Sequence, residues 1–141
     1  MTIDKLLKEG KPHQFKATQD EIEKPLEIAE RDLAVAEKIF EEDLDWSFSI
    51  AYNAILQACR AYMFSSGYRP ASSEMHKTVF EFMEVMSEEP HKEMIAYFDR
   101  ARRKRHRTLY NEVGLVSREE VVELLKQART FITEMGKRLR T

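Results

Sequence analysis

Between Tyr97 and Tyr110 the chain reads Tyr-Phe-Asp-Arg-Ala-Arg-Arg-Lys-Arg-His-Arg-Thr-Leu-Tyr, and six of the eight residues from Arg100 to Arg107 are Lys or Arg. At about 100° per residue, a helix here brings Asp99, Arg103, His106 and Tyr110 onto one stripe about 60° wide. Arg102 borders that stripe. Met94, Phe98, Ala101 and Leu109 form the side facing the core, and Arg100, Lys104 and Arg107 point away from it. The stripe joins a fixed cation, a group that titrates near neutrality, a phenol and a carboxylate. Arginine presents a planar fork to phosphate, and histidine passes protons at neutral pH. Tyrosine hydrogen-bonds or stacks on a base. Two plainer readings use the same residues: a charge run that is only a solvated face, and Asp99 paired with Arg103 one turn on.

Arg105 stands apart, because its angle places it in the core stripe with Phe98 and Leu109. A buried guanidinium is costly unless paired. Asn53, Gln57 and Arg60 follow i, i+4, i+7 spacing on an otherwise apolar segment. With Arg105 they are expected to form a polar seam, serving either a second-subunit interface or an internal hydrogen-bond network. The other candidates carry less. His13, His76, His91 and His106 have neither H-x-x-x-H nor H-E-x-x-H spacing, so no metal site is predicted. His76 reads as a capping or packing residue, and Cys59 as core. No Gly-rich phosphate loop and no G-x-S-x-G elbow is present, so no cofactor is predicted.

These residues must be positioned by helices. The chain has 141 residues, 43% of them apolar and 34% charged, with only eight Gly and Pro in all. That composition suits one domain with a real core and excludes collagen-like, low-complexity and largely disordered readings. One cysteine excludes an internal disulfide framework. No apolar stretch approaches the roughly 18–20 residues of a membrane span, and the N-terminus lacks a signal-peptide apolar core. A soluble, cytoplasmic protein is expected. Residues 1–99 hold 11 basic against 20 acidic side chains, while residues 100–141 hold 12 against 5. Such an asymmetry fits a polyanion-binding surface, or helices that attract each other.

The helix breakers leave four uninterrupted stretches, 26–66, 71–89, 91–113 and 115–135, rich in helix formers. Thr18-Gln-Asp-Glu21 and Ser117-Arg-Glu-Glu120 fit capping boxes. Pro25 implies either a kink or a helix that begins near Lys24. Asp43 to Asp45 reads as that helix's exit. A central helix over 46–65 is apolar on most sides, with Gly67 placed to end it in a left-handed cap. Further helices are expected from Ser72 or Ser73 to about Ser87, over 91–112, and from Ser117 to about Gly136. No strand is predicted. The architecture expected is an all-α, antiparallel, up-and-down bundle of about four or five helices. Residues 1–17 read as an N-terminal extension and 18–141 as the single domain.

The run Asp45-Trp-Ser-Phe-Ser-Ile-Ala-Tyr-Asn-Ala-Ile-Leu-Gln-Ala-Cys-Arg-Ala-Tyr-Met-Phe64, then Gly67-Tyr-Arg-Pro70, His76 and the Arg-rich helix ending in Tyr110, resembles the HEPN domain family over residues 20–136. That resemblance implies a homodimer whose basic helices line a shared cleft. It also implies pairing with a small nucleotidyltransferase in a toxin–antitoxin-like system, and RNA or nucleotide binding. Active members carry Arg, four to six residues, then His, which Arg100 and His106 satisfy. The commonest toxin form runs Arg-Asn, three residues, His, one residue, Tyr. Arg103 and Tyr110 keep its interval, but Lys104 replaces its Asn, Thr108 stands at its His, and His106 is displaced by two positions. The resemblance therefore implies three alternatives. One is a binding module using Arg102, Arg103, Arg107 and Tyr110. Another is a metal-independent endoribonuclease using His106 with Arg100 or Arg103. The last is a non-catalytic dimeric scaffold.

Overall fold

The computed structural model describes residues 2–9, 11–71, 75–87, 91–110 and 113–140. The chain begins with α1 (Ile3–Lys8) and β1 (Pro12–Gln14), then α2 (Gln19–Lys38) and α3 (Leu44–Ser65). After them come β2 (Tyr68–Pro70), α4 (Met75–Met86), α5 (His91–Tyr110) and α6 (Arg118–Leu139). The all-α bundle expected from the sequence is what forms. The start expected at Ser72 or Ser73 and the last turn expected at 111–112 lie outside the described residues.

Local chemistry sets the helix starts. In α2 the Thr18 hydroxyl accepts from the Glu21 N–H at 3.2 Å, and the Glu21 carboxylate accepts from the Thr18 N–H at 3.0 Å. Ser117 and Glu120 repeat this exchange at the start of α6. With its cap made at Thr18, α2 runs through Pro25 rather than starting at Lys24. Asp43 marks an entry and not an exit: its carboxylate accepts from the Trp46 N–H at 3.0 Å and caps α3. A glycine at position 67 is required there, because φ is +92° directly after the α3 cap.

α3 is the axle. Phe48, Tyr52, Ile55, Leu56, Cys59 and Met63 are all buried, with α2, α4, α5 and α6 packed around them. The Ser47 hydroxyl donates to the Ala36 carbonyl at 2.8 Å, tying the start of α3 back to α2. α5 is rotated slightly from its expected setting: Ile95, Phe98, Ala101 and Thr108 are buried, while Met94 and Leu109 are only half-buried. α6 continues past Gly136 to Leu139.

One difference from expectation is a small antiparallel sheet, in which Pro12 pairs with Pro70, His13 with Arg69 and Gln14 with Tyr68. Each strand is three residues long, so neither shows a readable alternation. Leu6 of α1 is fully buried, α1 packs against α4 and β1 pairs with β2, so residues 3–8 and 12–14 lie on the bundle.

Candidate functional site

A groove opens where α4 meets the C-terminal half of α5, lined by His76, Arg102, Arg103, Arg105, His106, Arg107 and Tyr110. Six of these come from a single helix, so its period sets their spacing. Phe98 fixes the register. It is fully buried and meets Phe131 of α6 edge-on, with ring centroids 5.3 Å apart.

On the outer side, Arg103, His106, Arg107 and Tyr110 are exposed. The His106 and Tyr110 rings lie 4.9 Å apart. Asp99 serves two cations: Arg102 Nε donates to its Oδ1 at 2.8 Å, and Arg103 lies 3.8 Å from its Oδ2. The expected i, i+4 pair between Asp99 and Arg103 is thus the looser of the two. Lys104 turns the other way and pairs with Glu120 of α6.

At the inner wall, Arg105 is half-buried and its guanidinium carbon sits 5.3 Å from the centroid of the Tyr52 ring. Its partner on the central helix is therefore an aromatic face. Tyr52 Oη lies 2.8 Å from His76 Nδ1, and the two rings are stacked 15° from parallel. Burial raises the Tyr52 phenol's pKa, so it stays protonated. Burial, with the charges of Arg105 and then Arg102, holds the His76 imidazole below its ordinary value.

The proposed seam does not form as one unit. Asn53 faces α2, where its Nδ2 donates to Asp32 Oδ2 at 2.7 Å. Arg60 donates to Gln57 at 2.8 Å and lies over the Phe64 ring. Arg105 belongs to the groove on Tyr52's side of α3. One residue of offset, from Tyr52 to Asn53, turns about 100° of helix and separates the two sets.

Nor does the structure bring Arg100 to His106. Six residues place them about 120° apart around α5, and Arg100 lies over the Tyr97 ring, its guanidinium carbon 5.9 Å from the centroid. Burial pushes the Tyr97 phenol up to about 12. Sequence reasoning undervalued His76, whose place in the groove depends on how α4 packs against α3 and α5. Among the described residues no three His, Cys, Asp or Glu side chains converge as metal ligands. No described helix is long and apolar enough to cross a membrane.

A search of curated proteins finds no match to the chain. A family model described as the HEPN domain matches residues 22–139. That span takes in nearly all of α2 and every element after it, the groove included, and the chain belongs to the HEPN domain family.

Proposed function

We propose that this protein binds RNA, or a nucleotide, in the groove on α5, as one member of a toxin–antitoxin-like pair with a small nucleotidyltransferase. The observation that carries the binding is the make-up of the groove: four arginines and two histidines beside a tyrosine that is 69% exposed. Arginine forks suit phosphate oxygens, and an exposed phenol ring offers a base a surface to stack on. Family membership supports the pairing and a homodimer whose two basic helices line one cleft.

The test is anisotropy of a labelled oligoribonucleotide across a salt series. Affinity is expected to fall with salt with a log–log slope of about 0.7 per phosphate neutralised, and Arg103→Ala to lower that slope by about one such step. Binding indifferent both to salt and to Arg103→Ala overturns the reading. Light scattering tests the dimer, and co-purification with a nucleotidyltransferase tests the pairing.

A second reading is favoured by His106, which stands against Tyr110 in the same groove as Arg102 and Arg103. In it the protein is a metal-independent endoribonuclease. His106 takes the proton of a 2′-hydroxyl, and the 2′-oxygen bonds to phosphorus. The P–O5′ bond then breaks, and the departing 5′-oxygen takes up a proton from solvent. Arg102 and Arg103 stabilise the charge that builds on the phosphoryl oxygens. Cleavage in EDTA that is lost in His106→Ala establishes this reading. Absence of cleavage by the wild type ends it.

A further inference from the structure

His76 and Arg105 hold the inner wall of the groove, and their surroundings are the most closely specified in it. Tyr52 is fully buried, and the only hydrogen-bond partner of its hydroxyl among the described residues is His76 Nδ1. A buried phenol has one hydrogen to donate and needs an acceptor for it. Nδ1 must therefore accept, which puts the ring's own hydrogen on Nε2. Protonating the imidazole would place a hydrogen on Nδ1 and leave the Tyr52 hydrogen without an acceptor. The groups facing His76 oppose it too: Tyr52 on α3 is neutral, and Arg102 and Arg105 on α5 are cationic. Nε2 has no hydrogen-bond partner among the described residues and is the polar edge left to a ring that lines the groove.

Arg105 is the complementary case. Arg102 and Arg103 have Asp99, and Lys104 has Glu120. No carboxylate pairs with Arg105 among the described residues, and its Nε is buried without an acceptor. A guanidinium fixed over an aromatic face and lacking a counter-ion is set to receive an anion.

We infer that His76 and Arg105 form one phosphate subsite of the groove, with the His76 Nε2–H and the Arg105 guanidinium donating to oxygens of the same phosphoryl group. Tyr52 is the positioning residue that fixes the imidazole tautomer. The inference rests on the groove being the binding face. It gives the ligand a phosphate ester, either an internucleotide linkage or the terminal phosphate of a mononucleotide.

The experiment uses the full chain with two probes, a labelled ten-nucleotide oligouridylate and AMP. His76→Ala and Arg105→Ala are each expected to weaken binding about ten-fold, the scale of one charge-assisted hydrogen bond. A loss with the oligonucleotide alone identifies a linkage, and a loss with AMP identifies a terminal phosphate. His76→Gln restores an N–H and is expected to recover most of the affinity. Equal losses in His76→Ala and His76→Gln overturn the donor role. Ring-nitrogen NMR reads the tautomer without any ligand: wild type should show neutral, Nε2-protonated His76. In Tyr52→Phe that preference should be lost, and binding should become pH-dependent, tightening as the pH falls below the ordinary histidine value, because burial, Arg105 and Arg102 still hold the imidazole down. An Nδ1-protonated wild-type ring overturns the positioning argument even if the alanine variants fail to fold. If Arg103→Ala weakens binding and His76→Ala does not, the subsite falls and the groove stands. If neither matters, the groove reading falls first.

Discussion

Arginines on α6 and arginines on α5 share one chemistry and have opposite surroundings. Arg118 and Arg129 on α6, and Arg140 capping its C-terminal end, recur every eleven residues, about three helical turns apart and therefore on one side of α6. Each puts both ends of its fork on a glutamate: Glu41 just after α2, then Glu37 and Glu30 along it. The acids run in reverse order because α2 and α6 are antiparallel. On α5, Arg102 and Arg103 divide a single carboxylate, and Arg105 and Arg107 pair with none among the described residues. The acidic front and basic back of the sequence thus conceal two arrangements. One set of arginines zips two helices together. The other is left with charge to offer. Counting cations does not separate the two sets; asking which of them already have partners does.

The most severe way to disturb this contrast is to loosen the helix that carries the unpaired set. Phe98 is fully buried between α5 and α6. Phe98→Ala is expected to cost about 3–5 kcal/mol, read as a lowered urea midpoint, while Arg129→Ala should barely move that midpoint. A cost below about 1 kcal/mol would mean that α5 is held by something other than this contact.

The contrast is sharpened by removing two arginines from each face. Arg103→Ala with Arg107→Ala is expected to lower oligoribonucleotide affinity at least about ten-fold and the salt slope by about 1.4. Arg129→Ala with Arg140→Ala should leave affinity within about two-fold, since those forks are already occupied. Equal losses from the two pairs would show that net charge, and not the groove, sets affinity.

Most of the fold was legible because it is written in local chemistry. Two capping boxes, a left-handed glycine and the gaps between helix breakers are read within four or five residues. The sheet was not legible, since two three-residue strands meet only once α1 and the end of α3 are in place. At the site, the stripe of Arg103, His106 and Tyr110 followed from period alone. His76 and the Tyr52 ring under Arg105 did not, because a residue's partner across helices depends on crossing geometry that no spacing encodes. Asn53 shows the same limit: its periodicity pointed to a seam, and its actual partner is Asp32 on a different helix.

A smaller effect reaches both faces at once. Glu120 closes the capping box with Ser117 through one carboxylate oxygen and takes Lys104 of α5 on the other. Ser117→Ala removes the hydroxyl that accepts from the Glu120 N–H and is expected to cost about 1 kcal/mol in thermal unfolding. Glu120→Gln loses the charge that pairs with Lys104 and keeps an oxygen for the cap. It should cost less, and its cost should shrink in salt.

The smallest expected effect is the most diagnostic of what the α2–α6 arginines do. Arg140 lies against Gly136, where an added Cβ would come within 3.2 Å of its Nη1, and its fork reaches Glu30. Hydrogen bonding to Arg140 holds the Glu30 carboxyl below its ordinary value. A carboxyl with a lowered folded pKa contributes stability above its unfolded value, near 4.5, and loses it as pH falls through the folded value. Both side chains are substantially exposed, so Arg140→Ala should cost only a few tenths of a kcal/mol at neutral pH. That gap should close in acid and in about 1 M salt. RNA affinity should collapse over the same salt range by orders of magnitude, through counterion release rather than screening of an internal pair. A gap that survives acid and salt would assign the stabilisation to packing of the Arg140 side chain, whose Nη1 lies against Gly136, and the zipper would then be one of shape more than of charge.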